Sequence, residues 1–158
     1  MSDKIDKKLT AIDLKIMRAL QKNGRLSNAE LAKSVAMSTT ACWKHTQHLF
    51  KIGAIKKVQA IIDPNMVDKA TIVLVGVVLD RSTPESFAAF EQTSHQLDAV
   101  LECYLVAGEV DYFLKVRVKD LAAFNQFHQE QIISLPGVRQ VRTFFVLNDV
   151  KTDGMLIF

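Results

Sequence analysis

Apolar side chains in the first sixty residues recur at the spacing of amphipathic helices. In "LTAIDLKIMRALQKNG", the apolar residues at this spacing are Leu9, Ile12, Ile16 and Leu20. A period of 3.6 residues places them on one helical face. The pattern predicts a first helix that is capped by Thr10 and ended by the "NG" pair.

Two further helices are predicted close behind the first one. "LSNAELAKSVA" opens with Ser27 and, three residues on, Glu30, which is the spacing of a capping box. After "AM", Ser38 is an N-cap for a third helix that we expect to run to about Ile52, with Gly53 at its left-handed C-cap. Two helices joined by so short a turn form a helix-turn-helix.

The third helix combines an apolar side with a polar stripe. We expect its apolar contacts to come from Cys42, Trp43, Leu49 and Phe50. The stripe at i, i+3, i+4 and i+7 consists of Lys44, Gln47, His48 and Lys51. Lys and Gln side chains reach guanine and adenine edges in the major groove, and hydroxyls and amides at helix starts contact phosphates. The stripe therefore indicates a recognition helix, and a solvated surface is the alternative.

The candidate DNA-binding residues include the polar residues at the starts of the second and third helices as well as the stripe. They are Ser27, Asn28, Ser38, Thr39, Thr40, Lys44, His45, Gln47, His48 and Lys51. Cys42, His45 and His48 also stand three residues apart, a spacing that raises the question of a metal site. They step round the helix and cannot converge on one ion, so we expect neither a metal nor a cofactor.

The second half of the sequence predicts an α+β domain. "TIVLVGVVLD" is a strand with two apolar faces, and "TPESFAAFEQTSHQL" is a helix. "AVLECYLVAGEVDYFLKVRVKD" reads as two strands joined around Gly108. "LAAFNQFHQEQIISL" is a second helix, and "VRQVRTFFVLNDV" is a fourth strand. The order βαββαβ predicts a ferredoxin-like unit at 71–158, joined by a linker at 61–70 to the helix-turn-helix domain at 1–60.

Charge is distributed unevenly between the two parts. Residues 1–60 contain 12 Lys and Arg against 4 Asp and Glu, whereas residues 61–158 contain 8 against 13. A basic segment joined to an acidic one indicates a polyanion-binding domain, and a lysine-rich solvated surface is the alternative. No apolar run is long enough to cross a membrane, and the polar start "MSDKIDKKLT" lacks a secretory signal, so we expect a cytoplasmic protein. Cys42 and Cys103 are expected to be free thiols.

Four segments taken in order resemble a known family. "STTACWKH", "LFKIGAI", "VAGEVDYFLKVRV" and "LPGVRQVRTFFVLNDVK" are similar to the Lrp/AsnC (feast/famine) family of bacterial and archaeal transcription regulators, and the resemblance covers nearly the whole chain. It implies a winged-type helix-turn-helix that binds double-stranded DNA. It also implies that the second domain binds an amino acid or a related small effector and assembles a homo-oligomer, a dimer or a multiple of dimers.

Some residues depart from the family pattern. The family commonly has Arg where this chain has His45, and further basic residues near Gln47 and His48. It also has Val or Ile where this chain has Thr46, and often Gly where it has Ala36. The usual Pro near the carboxyl end is missing from "KTDGMLIF". The charge facing DNA is therefore thinner here, which affects the choice of operator and not the fold.

The "AGEVDY" turn is the candidate effector site. A free amino acid needs acceptors for its ammonium and donors for its carboxylate, and Glu109 and Asp111 lie beside backbone amides around Gly108. The resemblance implies that the ligand lies between subunits near this turn, and it adds Thr143 of the last strand and Tyr104 as a wall of the site. The full candidate set is Tyr104, Ala107, Gly108, Glu109, Asp111, Tyr112 and Thr143. The alternative is that Gly108 only makes the hairpin turn.

Two other classes of function are alternatives to a regulator. An enzyme has little support, because the sequence contains no nucleophile elbow, phosphate-binding loop, zinc-protease motif or dinucleotide fingerprint. His95 and His128 have no partner at ligand spacing. A sensor that acts through protein partners alone is the third class, and the basic helix-turn-helix argues against it.

Overall fold

The chain forms two compact units. A computed structural model describes residues 9–152 and 154–158. One unit consists of Met1–Ile61 with Lys151–Phe158, and the other of Ile62–Val150. Residues 1–8, which hold most of the polar start of the sequence, lie outside the described residues. No helix in the described part is both long and apolar enough to cross a membrane.

The domain boundaries of the structure differ from the expected ones in two places. The expected linker contains a short 3-10 turn, Pro64–Val67, which belongs to the second unit. Lys151–Phe158 groups with the first unit, because the Gln21 carboxamide pairs with the backbone of Leu156 at 2.8 and 3.3 Å. Such a contact between distant segments leaves no periodic signal in the sequence.

The first unit contains the three predicted helices. They are α1 (Ala11–Lys22), α2 (Asn28–Ser34) and α3 (Thr39–Lys51). Thr10 caps α1, Ser27 forms the predicted capping box with Glu30, and Ser38 caps α3. These side chains satisfy amides that have no partner within their helix. The helix-turn-helix prediction is confirmed.

Only some of the apolar side chains of α3 are buried in the core of the first unit. Cys42 and Leu49, seven residues apart, are both fully buried. Trp43 and Phe50 were expected to join them, but they are 54% and 36% exposed. One residue step on a helix turns the side chain by about 100°, which carries each aromatic ring off the buried face. The prediction of core contacts was therefore wrong for these two residues.

The second unit is the predicted βαββαβ fold. Its elements are β1 (Thr71–Leu79), α4 (Pro84–Ser94), β2 (Val100–Leu105), β3 (Tyr112–Val118), α5 (Leu121–Phe127) and β4 (Val138–Phe145). The strands form one sheet in the order β2-β3-β1-β4, with all neighbours antiparallel. The predicted second helix is divided, because a π-helical turn, His128–Ile132, follows α5.

The sheet has one face covered by helices and one open face. Val73, Val75 and Val77 point toward the helices and join a core with Phe90 and Phe124. Residues directly opposite in an antiparallel pair share a face. The open face therefore carries the alternate set: Leu74, Gly76 and Val78 of β1, Phe113 and Lys115 of β3, Tyr104 and Glu102 of β2, and Arg142 and Phe144 of β4.

Candidate functional sites

The predicted stripe on α3 lies at the protein surface. Lys44, Gln47, His48 and Lys51 are all exposed, and they share one side of the helix. Within residues 9–152 and 154–158, none of these four side chains forms a hydrogen bond or ion pair with the protein. Their donors are therefore available to a ligand such as a nucleic acid.

The polar residues at the helix starts are exposed, and several of their side chains already form hydrogen bonds within the protein. Ser27 and Ser38 accept hydrogen bonds from the amides of Glu30 and Ala41. The side-chain amide of Asn28 donates to the backbone carbonyl of Thr39 at 2.9 Å, which links the start of α2 to the start of α3. This bond adds to the apolar core contacts that hold α3 against α2.

His45 differs from the other candidates because it faces α1. Its Nδ1 lies 2.8 Å from Oδ1 of Asp13. A carboxylate only accepts, so Nδ1 donates the proton. The other carboxylate oxygen accepts from the backbone and hydroxyl of Thr10 at 2.9 and 2.6 Å. Burial raises the pKa of Asp13, but the bonds from Thr10 and His45 outweigh it and hold that pKa below its ordinary value.

Cys42, His45 and His48 do not converge. Cys42 is buried in the core, His45 pairs with Asp13, and His48 is exposed. In the described part of the chain, no group of three or more His, Cys, Asp or Glu side chains is arranged to hold a metal ion.

The glycine turn of the second unit is open to solvent. Val106 donates to the Asp111 carbonyl at 2.9 Å and closes the turn, and Ala107 and Glu109 between them are exposed. Gly108 has φ 153°, and no atom lies within 4 Å of the position that a Cβ would occupy. A ligand can therefore approach the backbone at this point.

Asp111 is tied to the neighbouring strand. Its amide donates to the Val77 carbonyl at 2.9 Å, and its carboxylate accepts from the Leu79 amide at 2.7 Å. The side chain therefore closes the end of the β1–β3 pairing, whether or not it also meets a ligand.

Arg142 is a candidate that the sequence interpretation missed. Its guanidinium pairs with the exposed carboxylate of Glu109, and it lies opposite Gly76 on the open face. Arginine is the usual bidentate partner of a carboxylate. The alternation of "VRQVRTFF" places Arg142 on the face opposite Val141, but the pairing with Glu109 depends on how β4 aligns with the glycine turn.

The structure distributes the remaining effector candidates over both sides of the sheet. Tyr104 lies opposite Phe113 on the open face, where its hydroxyl donates to Glu102 at 2.6 Å. Tyr112 is 1% exposed in the helix-covered core, and its hydroxyl donates to Glu91 at 2.7 Å. Burial is the main reason that its pKa is raised. Thr143 lies opposite Val75 and also faces the helix side.

The first unit is a helix-turn-helix with an exposed polar third helix, and the second is a ferredoxin-like unit with an open turn. This combination defines a two-domain DNA-binding regulator. Comparisons with known proteins agree with this class. A family model described as "Winged helix-turn-helix DNA-binding" matches residues 9–56, and one described as "Lrp/AsnC ligand binding domain" matches residues 72–156. The chain belongs to the Lrp/AsnC family of transcription regulators.

Individual relatives are similar to this chain over almost their whole length. The leucine-responsive regulatory protein of Haemophilus influenzae is 38% identical over 99% of this chain and 95% of its own. That of Escherichia coli K12 is 38% identical over 96% of this chain and 92% of its own.

Two solved structures match the fold. An AsnC family regulator from Agrobacterium tumefaciens has a TM-score of 0.87 and 32% identity, covering 94% of this chain and 97% of that one. A regulator from Neisseria meningitidis, solved as a complex with L-methionine, has a TM-score of 0.84 and 30% identity, covering 91% and 93%.

Proposed function

We propose that the exposed stripe of α3 reads operator DNA. The observation that carries this proposal is the set of four donor-bearing side chains on one helical face, in a helix whose sequence "TTACWKHTQHLFK" contains no acidic residue. Lys and Gln supply donors for base edges in the major groove. The polar residues at the starts of α2 and α3 supply phosphate contacts, and His45 supports the stripe by fixing α3 to Asp13.

A small amino acid is the proposed effector of the second unit, bound near Gly108 at the interface between subunits. The leucine-responsive relatives and the L-methionine complex support this class of ligand. The geometry supports the glycine turn as the binding site, because Glu109 offers an acceptor for an ammonium and Arg142 offers a bidentate donor for a carboxylate. The ligand would exchange the Glu109–Arg142 ion pair for two charged contacts beside the unobstructed backbone of Gly108.

The proposed assembly is a homodimer, or a multiple of it, formed through the open face of the sheet. Helices α4 and α5 cover one face only, while Leu74, Tyr104 and Phe144 on the other face are 37%, 54% and 49% exposed. A two-fold dimer places two α3 helices about one DNA turn apart, or a multiple of it, and favours a pseudo-palindromic site.

The effector proposal is tested by isothermal titration with L-leucine and L-methionine. Arg142→Gln and Glu109→Gln should each weaken binding at least about tenfold, because each removes a charged hydrogen bond. Arg139→Gln, which removes an exposed arginine from the same strand, is the matched control and should bind normally. Unchanged affinity in both test variants, with folding and assembly preserved, would place the effector elsewhere.

The assembly proposal is tested by sedimentation of the full chain. Phe144→Glu puts a charge on the open face and should shift the protein toward monomer. Gln92→Glu puts the same charge on the exposed surface of α4 and should not. A Phe144→Glu protein that keeps the wild-type sedimentation coefficient would exclude this interface.

The competing functions make different predictions. A sensor that acts only through protein partners would bind all DNA weakly and uniformly, with no preferred site. We propose no catalytic activity, because the relatives named above are regulators. The cytoplasmic location also stays part of this proposal, because the partner is DNA.

A further inference from the structure

Trp43 is the only tryptophan of the chain, and it lies on the surface of α3. Cys42 and Leu49 occupy the buried side of the helix, so the indole of the next residue is 54% exposed. Exposing so large an apolar side chain is unfavourable in water, and tryptophan is among the residues that most often anchor an interface. The position of Trp43 therefore suggests a partner that covers it.

The surroundings of the indole are polar and held in place. Trp43 lines a shallow recess with Asn28, Thr39 and Thr40. The Asn28–Thr39 hydrogen bond of 2.9 Å fixes the two helix starts that form this recess. Within the described residues the indole N–H has no acceptor. The recess thus offers one apolar surface, two hydroxyls and one unused donor.

The charge around the recess selects the class of partner. Trp43 lies one turn before Gln47 and next to Lys44 in a helix without acidic residues. An apolar protein surface would leave these polar groups without partners, whereas DNA has base edges for the lysine and phosphates for the hydroxyls. The major groove also presents one apolar feature, the 5-methyl group of thymine.

We propose that Trp43 lies against a thymine methyl group in the major groove and makes the protein prefer thymine at that position of each half-site. This inference rests on α3 being the recognition helix. It adds an apolar contact to the polar readout by the stripe, so that a binding site would be selected by hydrogen bonds and by one methyl group together.

Fluorescence of this single tryptophan gives the first test. The probe is the tightest duplex that the wild-type protein selects from a randomised DNA pool. Saturation with it should shift the emission and reduce quenching by acrylamide, because the groove shields the ring from solvent. Unchanged emission and quenching at full saturation would overturn the proposal. Shielding that depends on protein concentration without DNA would instead assign Trp43 to self-association, and would also overturn it.

Removal of the methyl group gives the second test. Deoxyuridine replaces thymine, one position at a time, in the selected duplex, and affinity should fall about fourfold at one position of each half-site, the change expected for one buried methyl group. Trp43→Ala should lose this discrimination, while Trp43→Phe should keep most of it. Phe50→Ala, which removes another exposed aromatic ring of α3, is the matched control and should retain it.

Different results would exclude the Trp43 contact and the recognition-helix role of α3. If Trp43→Ala weakens thymine and deoxyuridine duplexes equally, the methyl contact is excluded, while loss of binding on substitution of the stripe would still support α3 as the recognition helix. If substitution of the stripe leaves specific binding intact, the recognition-helix proposal and the Trp43 proposal are both overturned.

Discussion

The α3 stripe and the glycine turn differ in whether their polar side chains already have partners within the protein. The α3 stripe is exposed, and its four side chains make no hydrogen bond or ion pair within the described residues. In the turn region, Glu109 pairs with Arg142 and Asp111 closes the end of β1. The proposed DNA-binding surface can stay unpaired because water solvates it until DNA binds. The proposed effector site uses side chains that already pair within the second unit, so substitutions there should affect both the fold and the ligand.

The largest effect is expected for the α3 stripe. Simultaneous substitution of Lys44, Gln47, His48 and Lys51 by Ala should reduce affinity for the selected duplex at least about a hundredfold, because each base contact contributes about 1–3 kcal/mol. Fluorescence anisotropy at fixed salt measures this loss.

A charge-matched control separates specific contacts from net charge. Lys15→Ala with Lys22→Ala removes two exposed lysines from α1, the same number that the stripe variant removes. This control should reduce affinity far less. If both variants lost the same affinity, or if the stripe variant kept specific retardation, α3 would not be the recognition helix.

The difference between the two regions also explains what the sequence predicts. The stripe needs only the helical period and a start at Ser38, both of which are local, so the exposure of its four residues is predictable. The exposure of Trp43 and Phe50 on the same helix is not. The turn at Gly108 is local and was predicted too. The surroundings of Arg142 and Thr143 depend on the alignment of β4 with β1, and those of Tyr112 on the alignment of β3 with β1. Pairing between segments distant in sequence decides both.

Substitution of Asp111 tests whether this turn residue stabilises the fold, contacts the ligand or does both. Asp111→Ala removes the acceptor of the Leu79 amide and should lower the free energy of unfolding by about 1–3 kcal/mol. Asp111→Asn keeps an acceptor oxygen and should cost less, as measured by urea denaturation. If both variants weaken L-leucine or L-methionine binding, the carboxylate charge contacts the ligand. If only the Ala variant does, Asp111 acts through the structure of the turn.

His45 tests the opposite case, a residue of α3 that serves the fold. His45→Ala leaves Asp13 with its Thr10 contacts only and should destabilise the protein by about 1 kcal/mol. DNA affinity, measured where both proteins are folded, should change far less than in the stripe variant. A loss of DNA affinity comparable to that variant, without a loss of stability, would make His45 a DNA contact.

The dependence of stability on acid pH gives a second measurement for the Asp13–His45 pair. The folded-state pKa of Asp13 is lowered, so its stabilising contribution is present above the unfolded-state pKa of about 3.9 and is lost as the pH falls through the folded-state value. Asp13→Asn should therefore reduce the loss of stability below about pH 4. An acid limb identical to that of the wild type would show that Asp13 contributes little there.

The smallest effect is expected at Ala36, in the turn between α2 and α3. Ala36 has φ 57°, in the left-handed region where a Cβ is unfavourable, and its position is exposed. Ala36→Gly relieves this strain but increases the entropy of the unfolded chain, so the net stabilisation should be below about 1 kcal/mol. Thermal denaturation should show a small rise in Tm with unchanged DNA affinity, because Ala36 is not among the proposed DNA-binding residues. Substitution by Val, whose branched side chain is poorly tolerated at positive φ, should lower Tm, and a Val variant as stable as the Gly variant would contradict the strain at this turn.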